Sequence, residues 1–322
     1  MMDLSIPYYE DMSRISNSNI GWYLKEGPAY LHRHLTGQVP DLETASLRKG
    51  TMIHEFILQP EEFDKDYMVY EGIKPSSTNQ VSFCRELANS VEIEPKKRLL
   101  DAYKKSYSII GKSEEKMLSE ATKIASELTP YIDATNSGKI LIGKWDYKLC
   151  NDILYAAKEH IAAFNILDRD KDEEIYSEFH INWECEGVQC KSLLDRIKIN
   201  KKKKHCAIID LKTTSHLWQF EDSMKTFDYC RQLCYYYMAV LWYIENELKD
   251  NPEDWTFSFF IVAVGNNLPG DVRVFELTFD QVIARKDTIV NTLHKIKWHI
   301  DNNKWDHSIE YYENNGVEHL DL

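Results

Sequence analysis

Apolar and β-branched residues alternate with polar ones from Glu173 to Thr214, through EEIYSEFHINWECEGVQCKSLLDRIKINKKKKHCAIIDLKTT. A period of two predicts strands rather than helices. Glu186-Gly187 supplies a two-residue hairpin turn, and the polar Lys202-Lys203 pair marks a second. The segment reads as a three-strand meander. Upstream, Leu42 to Leu58 has helical spacing, with Leu47, Ile53, His54, Ile57 and Leu58 near one side and Pro60 as its stop. From about Pro75 to Leu167 the pattern turns charged and helical. Met117, Ala121, Ile124 and Leu128 form one apolar stripe, and DYKLCNDILYAAKEHIAAFNIL repeats the pattern. After the meander, Phe220 to Leu248 is predicted as one long helix, and FSFFIVAVG (Phe257–Gly265) as a strand. A strand, a helix and another apolar strand form a crossover, which returns parallel and right-handed. A last helix is expected over Asp280 to Asn303, with Trp298 and His299 in packing roles.

The two turns set the register. In the first hairpin Glu178 falls opposite Asp195, and in the second Asp195 falls opposite Asp210. Lys212 shares the face of Asp210. Facing side chains lie about 4.5–5.5 Å apart, and like charges there repel. Three carboxylates in a row are unfavourable unless a cation sits among them, so the pattern predicts a divalent metal site with a lysine beside it. A slip of one residue would instead send these charges to a solvated face.

Asp195, followed by Asp210-Leu211-Lys212 at the end of an apolar strand, resembles the D…(D/E)-x-K signature of the PD-(D/E)XK nuclease superfamily. Within it the chain resembles RecE (exonuclease VIII)-like phage exonucleases. That likeness runs through ISNSNIGWYLKEGPAYL (Ile15–Leu31) and RKGTMIHEFILQPEEFDKDYMV (Arg48–Val69), which contains Gly50, Thr51 and His54 followed by Pro60 and Phe63. It resumes at Ser177-Glu178, Ser192–Ile197, Ile208–Thr214 and YCRQLCYYYMAV (Tyr229–Val240). About half of the chain is covered. The resemblance implies an α/β restriction-endonuclease-like core, with a central mixed sheet flanked by helices. The expected organisation is one nuclease domain over 1–322, core elements at 42–58, 174–214 and 220–265, and a helical insertion over 72–172.

The same resemblance assigns roles. His54, Asp195, Asp210 and the Leu211 carbonyl would hold Mg²⁺ or Mn²⁺, with Glu178 on a second ion or a metal-bound water. Lys212 would orient the nucleophilic water or stabilise developing charge, its own pKa depressed if partly buried. Gln232 and Tyr236, at i and i+4 of one helix, would approach the active site. Thr213, Thr214 and Gln232 are candidate phosphate contacts. A divalent ion on carboxylates lowers the pKa of its water and polarises a phosphoryl oxygen. The implied activity is hydrolysis of double-stranded DNA from its ends, 5′→3′, leaving 3′ overhangs for a RecT-like single-strand-annealing protein. A homo-oligomeric ring threading DNA is implied too, in the cytoplasm of a bacterial host and encoded by a phage or prophage. A RecB-like or CRISPR-associated nuclease, and a DNA-binding or assembly protein without catalysis, are the alternatives.

Composition changes the picture at three points. Seven cysteines occur without any C-x2-C, which favours reduced thiols over an iron–sulfur cluster. There is no run of 18 apolar residues and no basic, apolar leader in MMDLSIPYYEDMS, so a soluble chain that is not exported and binds no membrane is expected. The net charge of −13 runs against binding a polyanion unless local basic patches compensate. Lys201–Lys204, Lys96–Arg98 with Lys104-Lys105, and Lys139 with Lys144 are the basic stretches, each read first as a solvated turn or helix face.

Overall fold

The computed structural model describes residues 5–39, 44–168, 172–267 and 269–319. Residues 42 and 43 of the helix expected from Leu42 lie outside them, as do 169–171 at the end of the expected insertion. The chain divides into two units, one of residues 1–58 with 152–322 and one of 59–151.

In the larger unit, α1 (Asn17–Glu26) begins at a reciprocal cap, in which Ser16 and Asn19 satisfy each other's amides. Helices α2 (Pro28–Leu35) and α3 (Ala45–Leu58) follow. Helix α3 buries Met52, Ile53, Ile57 and Leu58, whereas Leu47, expected on that side, is exposed.

The smaller unit comprises α4 (Pro60–Asp66), β1 (Tyr67–Val69), α5 (Thr78–Ala88), α6 (Pro95–Ser106), α7 (Glu114–Asn136) and β2 (Ile140–Ile142). It is helical apart from the short parallel pair β1–β2. Met117, Ala121 and Leu128 are buried in its core, with Ile124 packed at the margin. Helix α8 (Lys144–Glu159) runs across the boundary between the units.

Back in the larger unit come α9 (Ile161–Leu167), β3 (Glu174–Cys185), β4 (Val188–Asn200) and β5 (His205–Thr214). Next are α10 (Phe220–Thr226), α11 (Tyr229–Asn246), β6 (Thr256–Gly265), β7 (Val272–Leu277), α12 (Phe279–Ile283), α13 (Lys286–Asn302) and α14 (Ile309–Glu313). The sheet order is β3-β4-β5-β6-β7, with β5–β6 parallel and the other pairs antiparallel. Both expected registers are present: Ser177 pairs with Arg196 and Phe179 with Leu194, then Arg196 with Ile209. The first turn works because Glu186 (φ 53°) and Gly187 (φ 72°) both adopt positive φ, the geometry of a tight hairpin turn matched to strand twist.

Two helices predicted as continuous are broken. Residues 220–248 form α10 and α11, because Asp228 takes φ 47° and its carboxylate holds Arg285 at 2.9 Å. The last stretch likewise splits into α12 and α13 at Arg285. Strand β7, which no motif announced, closes the sheet. The core lies between the sheet and α1, α11 and α13, centred on residues such as Ile181, Leu194, Ile208, Leu233, Tyr235, Ile261 and Leu293.

Candidate active site

At the level of Glu178, the β3–β4 ladder skips a pair. Ser177 and Phe179 are paired, but Glu178 between them has φ 48°. A non-glycine residue in the left-handed region is uncommon, and here it interrupts the ladder at one residue on each strand, Glu178 and Asp195, without shifting the register. The next strand pair also opens at this level. The β4–β5 ladder ends at Arg196–Ile209, and the Leu211 amide instead donates to Asp195 Oδ2 at 2.7 Å. Asp195 and Asp210 thus do not face each other as a plain strand pair. The backbone N–H offsets part of the cost of the Asp195 charge, which still pushes Asp210 upward.

What gathers around the opening is a mixed donor set. His54, Glu178 and Asp195 each offer a ligand atom, all within 4.8 Å of one another. His54 Nδ1 lies 3.7 Å from Asp195 Oδ2, and the imidazole also hydrogen-bonds the Leu211 carbonyl. Helix α3 delivers His54 because two contacts seat it on the sheet. Arg196 ties the Leu58 carbonyl at the helix end (3.4 Å) to Ser177 on β3 (3.1 Å). Gly50 lies against β5, where a Cβ would sit 3.1 Å from Thr213 Oγ1. The glycine of the G-T-x-x-H element is therefore a close-approach residue.

Beside this set, Asp210 is buried (1% exposed) and Lys212 Nζ lies 2.8 Å from its Oδ2 and 3.0 Å from its Oδ1. Only Oδ1 accepts with hydrogen-bond geometry; Oδ2 is buried without such a partner. The Lys212 ammonium rests 5.0 Å above the Tyr229 ring. Gln232 Nε2 donates to the Tyr236 hydroxyl at 2.9 Å, and Tyr236 is buried close enough to feel both Asp195 and Asp210. Thr213 faces α3 through its hydroxyl, whereas the Thr214 hydroxyl accepts from the His216 amide at 3.1 Å.

Burial dominates the electrostatics of the carboxylates and the imidazole. Burial, then the charge of Asp195, pushes Glu178 up to about 8. Burial raises Asp210 to about 6 although Lys212 pulls it down, and Asp195 is raised for the same first reason. Burial, reinforced by Lys212, lowers His54 to about 4, so at neutral pH its imidazole is uncharged and has a lone pair to offer. Lys212 departs from expectation. Burial alone would depress it, but Asp210 and Asp195 outweigh burial and hold it above the usual lysine range. It is a charged ammonium and not a neutral amine.

The basic stretches are largely compensated. Lys201 pairs with Glu174, Lys202 with Asp172, and Lys204 with Asp250 and Asp254; Lys97 and Lys105 pair with Glu92 and Glu86. All seven cysteines are free thiols, Cys185 and Cys190 included.

A family model described as a PDDEXK-like domain of unknown function (DUF3799) matches residues 22–314. No curated protein matches the chain. Among solved structures it is similar to the crystal structure of a presumptive exonuclease from Eubacterium rectale, with a TM-score of 0.52 at 13% identity, over 100% of this chain and 97% of that one. At that identity the likeness concerns the fold, and it agrees with a mixed sheet flanked by helices. No helix among the described residues is long and apolar enough to cross a membrane.

Proposed function

This chain belongs to the PDDEXK-like DUF3799 family, and from that premise we propose that it is a divalent-metal-dependent nuclease that hydrolyses double-stranded DNA from its ends. The observation that carries the reading is the convergence of His54, Glu178 and Asp195 next to the Asp210–Lys212 pair. The donor chemistry fits a hard or borderline cation: one neutral imidazole, two carboxylates, and the buried Asp210 Oδ2 without a hydrogen-bond partner. Mg²⁺ and Mn²⁺ suit it best. A cation bound there would supply Lewis acidity to a phosphoryl oxygen and lower the pKa of water.

The chain's own groups supply the rest. Lys212, held by Asp210 and propped on Tyr229, presents a fixed positive charge toward a phosphate whose negative charge grows during hydrolysis. Because the ammonium is already oriented, little reorganisation is needed at the moment of reaction. Burial and Asp195 favour a proton on Glu178, which a cation bound among the carboxylates would displace, leaving the carboxylate to hold it. Gln232 fixes the Tyr236 hydroxyl at the wall of the site, and Thr213 and Thr214 end the strand that carries Lys212. Resection with 5′→3′ polarity, a ring-shaped homo-oligomer, an annealing partner and a phage or prophage origin in a bacterial cytoplasm complete the proposal; their support is the sequence resemblance.

The test uses linear duplexes labelled at the 5′ or the 3′ end, beside covalently closed circles, in Mg²⁺, Mn²⁺ or EDTA. Loss of the 5′ label as mononucleotide, with circles intact and no reaction in EDTA, is expected. Nicking of circles would shift the reading to an endonuclease, and no metal-dependent cleavage of any DNA would refute it.

A further inference from the structure

One row of the sheet carries a second cation on the face of Lys212. Lys212 on β5 is level with Ala263 on β6, and Ala263 with Arg273 on β7. Residues level with one another on neighbouring strands share a face, so Arg273 emerges on the side of Lys212, two strand spacings or about 10 Å away. Its guanidinium lies 5.4 Å from the Trp218 ring centroid and 4.8 Å from that of Phe275, and donates to the Leu217 carbonyl at 3.3 Å. All three partners are neutral, unlike the carboxylates that hold the Lys201–Lys204 turn.

Aromatic rings link this arginine to the lysine. Phe275 stacks on Phe220 (5.3 Å, 25°) and Phe220 on Tyr229 (5.8 Å, 27°), whose ring holds the Lys212 ammonium. The line ends at Trp218, which is 82% exposed. The exposed indole leaves a flat apolar face open for another ring to stack on. It stands four residues beyond Thr214, on the short turn after the strand that carries Lys212.

Strands of nucleic acid are held by aromatic rings on which bases stack and by cations that follow the backbone. We propose that Trp218 and Arg273 position the nucleotide adjoining the scissile phosphate, the indole stacking on its base and the guanidinium taking its phosphate. The proposal rests on the nuclease reading above and assigns to that site a contact for the neighbouring nucleotide. It also gives an acidic protein a phosphate contact that no carboxylate among the described residues neutralises.

The test measures binding of a fluorescein-labelled duplex with a short single-stranded end by anisotropy in EDTA, and cleavage of the same DNA in Mn²⁺. Trp218→Ala is expected to weaken binding about tenfold, whereas Trp218→Phe stays within about threefold of wild type. An abasic site is then walked through the first four positions from the end. At the position Trp218 serves, Trp218→Ala should cause no further loss, an equivalence that general unfolding would not produce. Arg273→Gln should weaken intact and abasic DNA alike and reduce the slope of log affinity against log salt by about one. Wild-type cleavage accompanied by unchanged binding of Trp218→Ala and Arg273→Gln overturns the proposal alone. Equal loss for Trp218→Ala on every abasic substrate overturns the stacking assignment. Wild-type protein that neither binds nor cuts DNA refutes the nuclease reading, and this proposal with it.

Discussion

Glu178→Gln should change how the metal-free protein responds to pH. In the folded chain Glu178 is raised from 4.5 to about 8, first by burial and then by Asp195. An acid raised in this way contributes stability that is full below the unfolded value and lost as pH rises toward the folded one, because only the unfolded state gives up its proton. Between pH 4.5 and 7 each pH unit removes about 1.4 kcal/mol, or about 3 kcal/mol over the window. Glu178 is partly exposed, and solvent screening reduces this to about 2 kcal/mol. A chain of 322 residues shifts about 1.5 °C in Tm per kcal/mol, so wild type in EDTA should lose about 3 °C from this residue between pH 5 and 7.5. Glutamine cannot ionise, and the variant's Tm should lack that component. His54 and the two aspartates titrate in both proteins, so the difference between the two curves isolates Glu178. Differential scanning calorimetry from pH 5 to 8 in EDTA measures it. Parallel curves would refute the argument that Glu178 is a proton-holding member of a crowded carboxylate cluster.

Other perturbations separate the roles of its neighbours. Asp195→Asn or Asp210→Asn should reduce cleavage to below a few per cent, and full activity in both would eliminate the carboxylate site. The metal-free Tm should be equal or higher for Asp195→Asn, which removes a raised carboxylate, but lower for Asp210→Asn, which leaves the Lys212 ammonium without its partner. Lys212→Ala should lose turnover but bind Mn²⁺ within a fewfold of wild type, whereas His54→Ala should weaken Mn²⁺ binding about tenfold or more, as titration calorimetry would read; equal affinities would remove His54 from the ligands. Gly50→Ala should act at a distance. Its methyl would sit 3.1 Å from Thr213 Oγ1, so α3 must shift by a few tenths of an ångström, which should weaken Mn²⁺ binding more than it lowers Tm.

Much of the sheet was legible because its signals are local. Alternation and two turns suffice to bring Ser177 opposite Arg196 and Arg196 opposite Ile209. What alternation could not reveal is where the ladder yields. A row of three facing carboxylates was the direct extrapolation, but the positive φ of Glu178 and the Leu211 N–H taken by Asp195 divide it into two groups. Glu178 joins His54 and Asp195, while Asp210 is held by Lys212. The sign of the Lys212 shift was misjudged although the register already put Asp210 and Asp195 beside it: burial was weighed, and the attraction of the two carboxylates, which outweighs it, was assigned wholly to a cation. Likewise the break between α10 and α11 depends on Arg285, 57 residues from Asp228. Trp218 and Arg273 carried no motif. The alternating DVRVFEL was the available sign of β7, and without that strand the row shared with Lys212 stayed hidden.

The central claim is that His54, Glu178 and Asp195 hold a divalent cation beside Lys212. Anomalous diffraction from crystals soaked in Mn²⁺ tests it most directly. The account predicts a peak about 2.0–2.3 Å from a nitrogen of His54 and from a carboxylate oxygen of Asp195 and of Glu178, with the Lys212 ammonium outside the coordination sphere. A Mn²⁺ ion bound elsewhere, with these three side chains unligated at saturating metal, would contradict it.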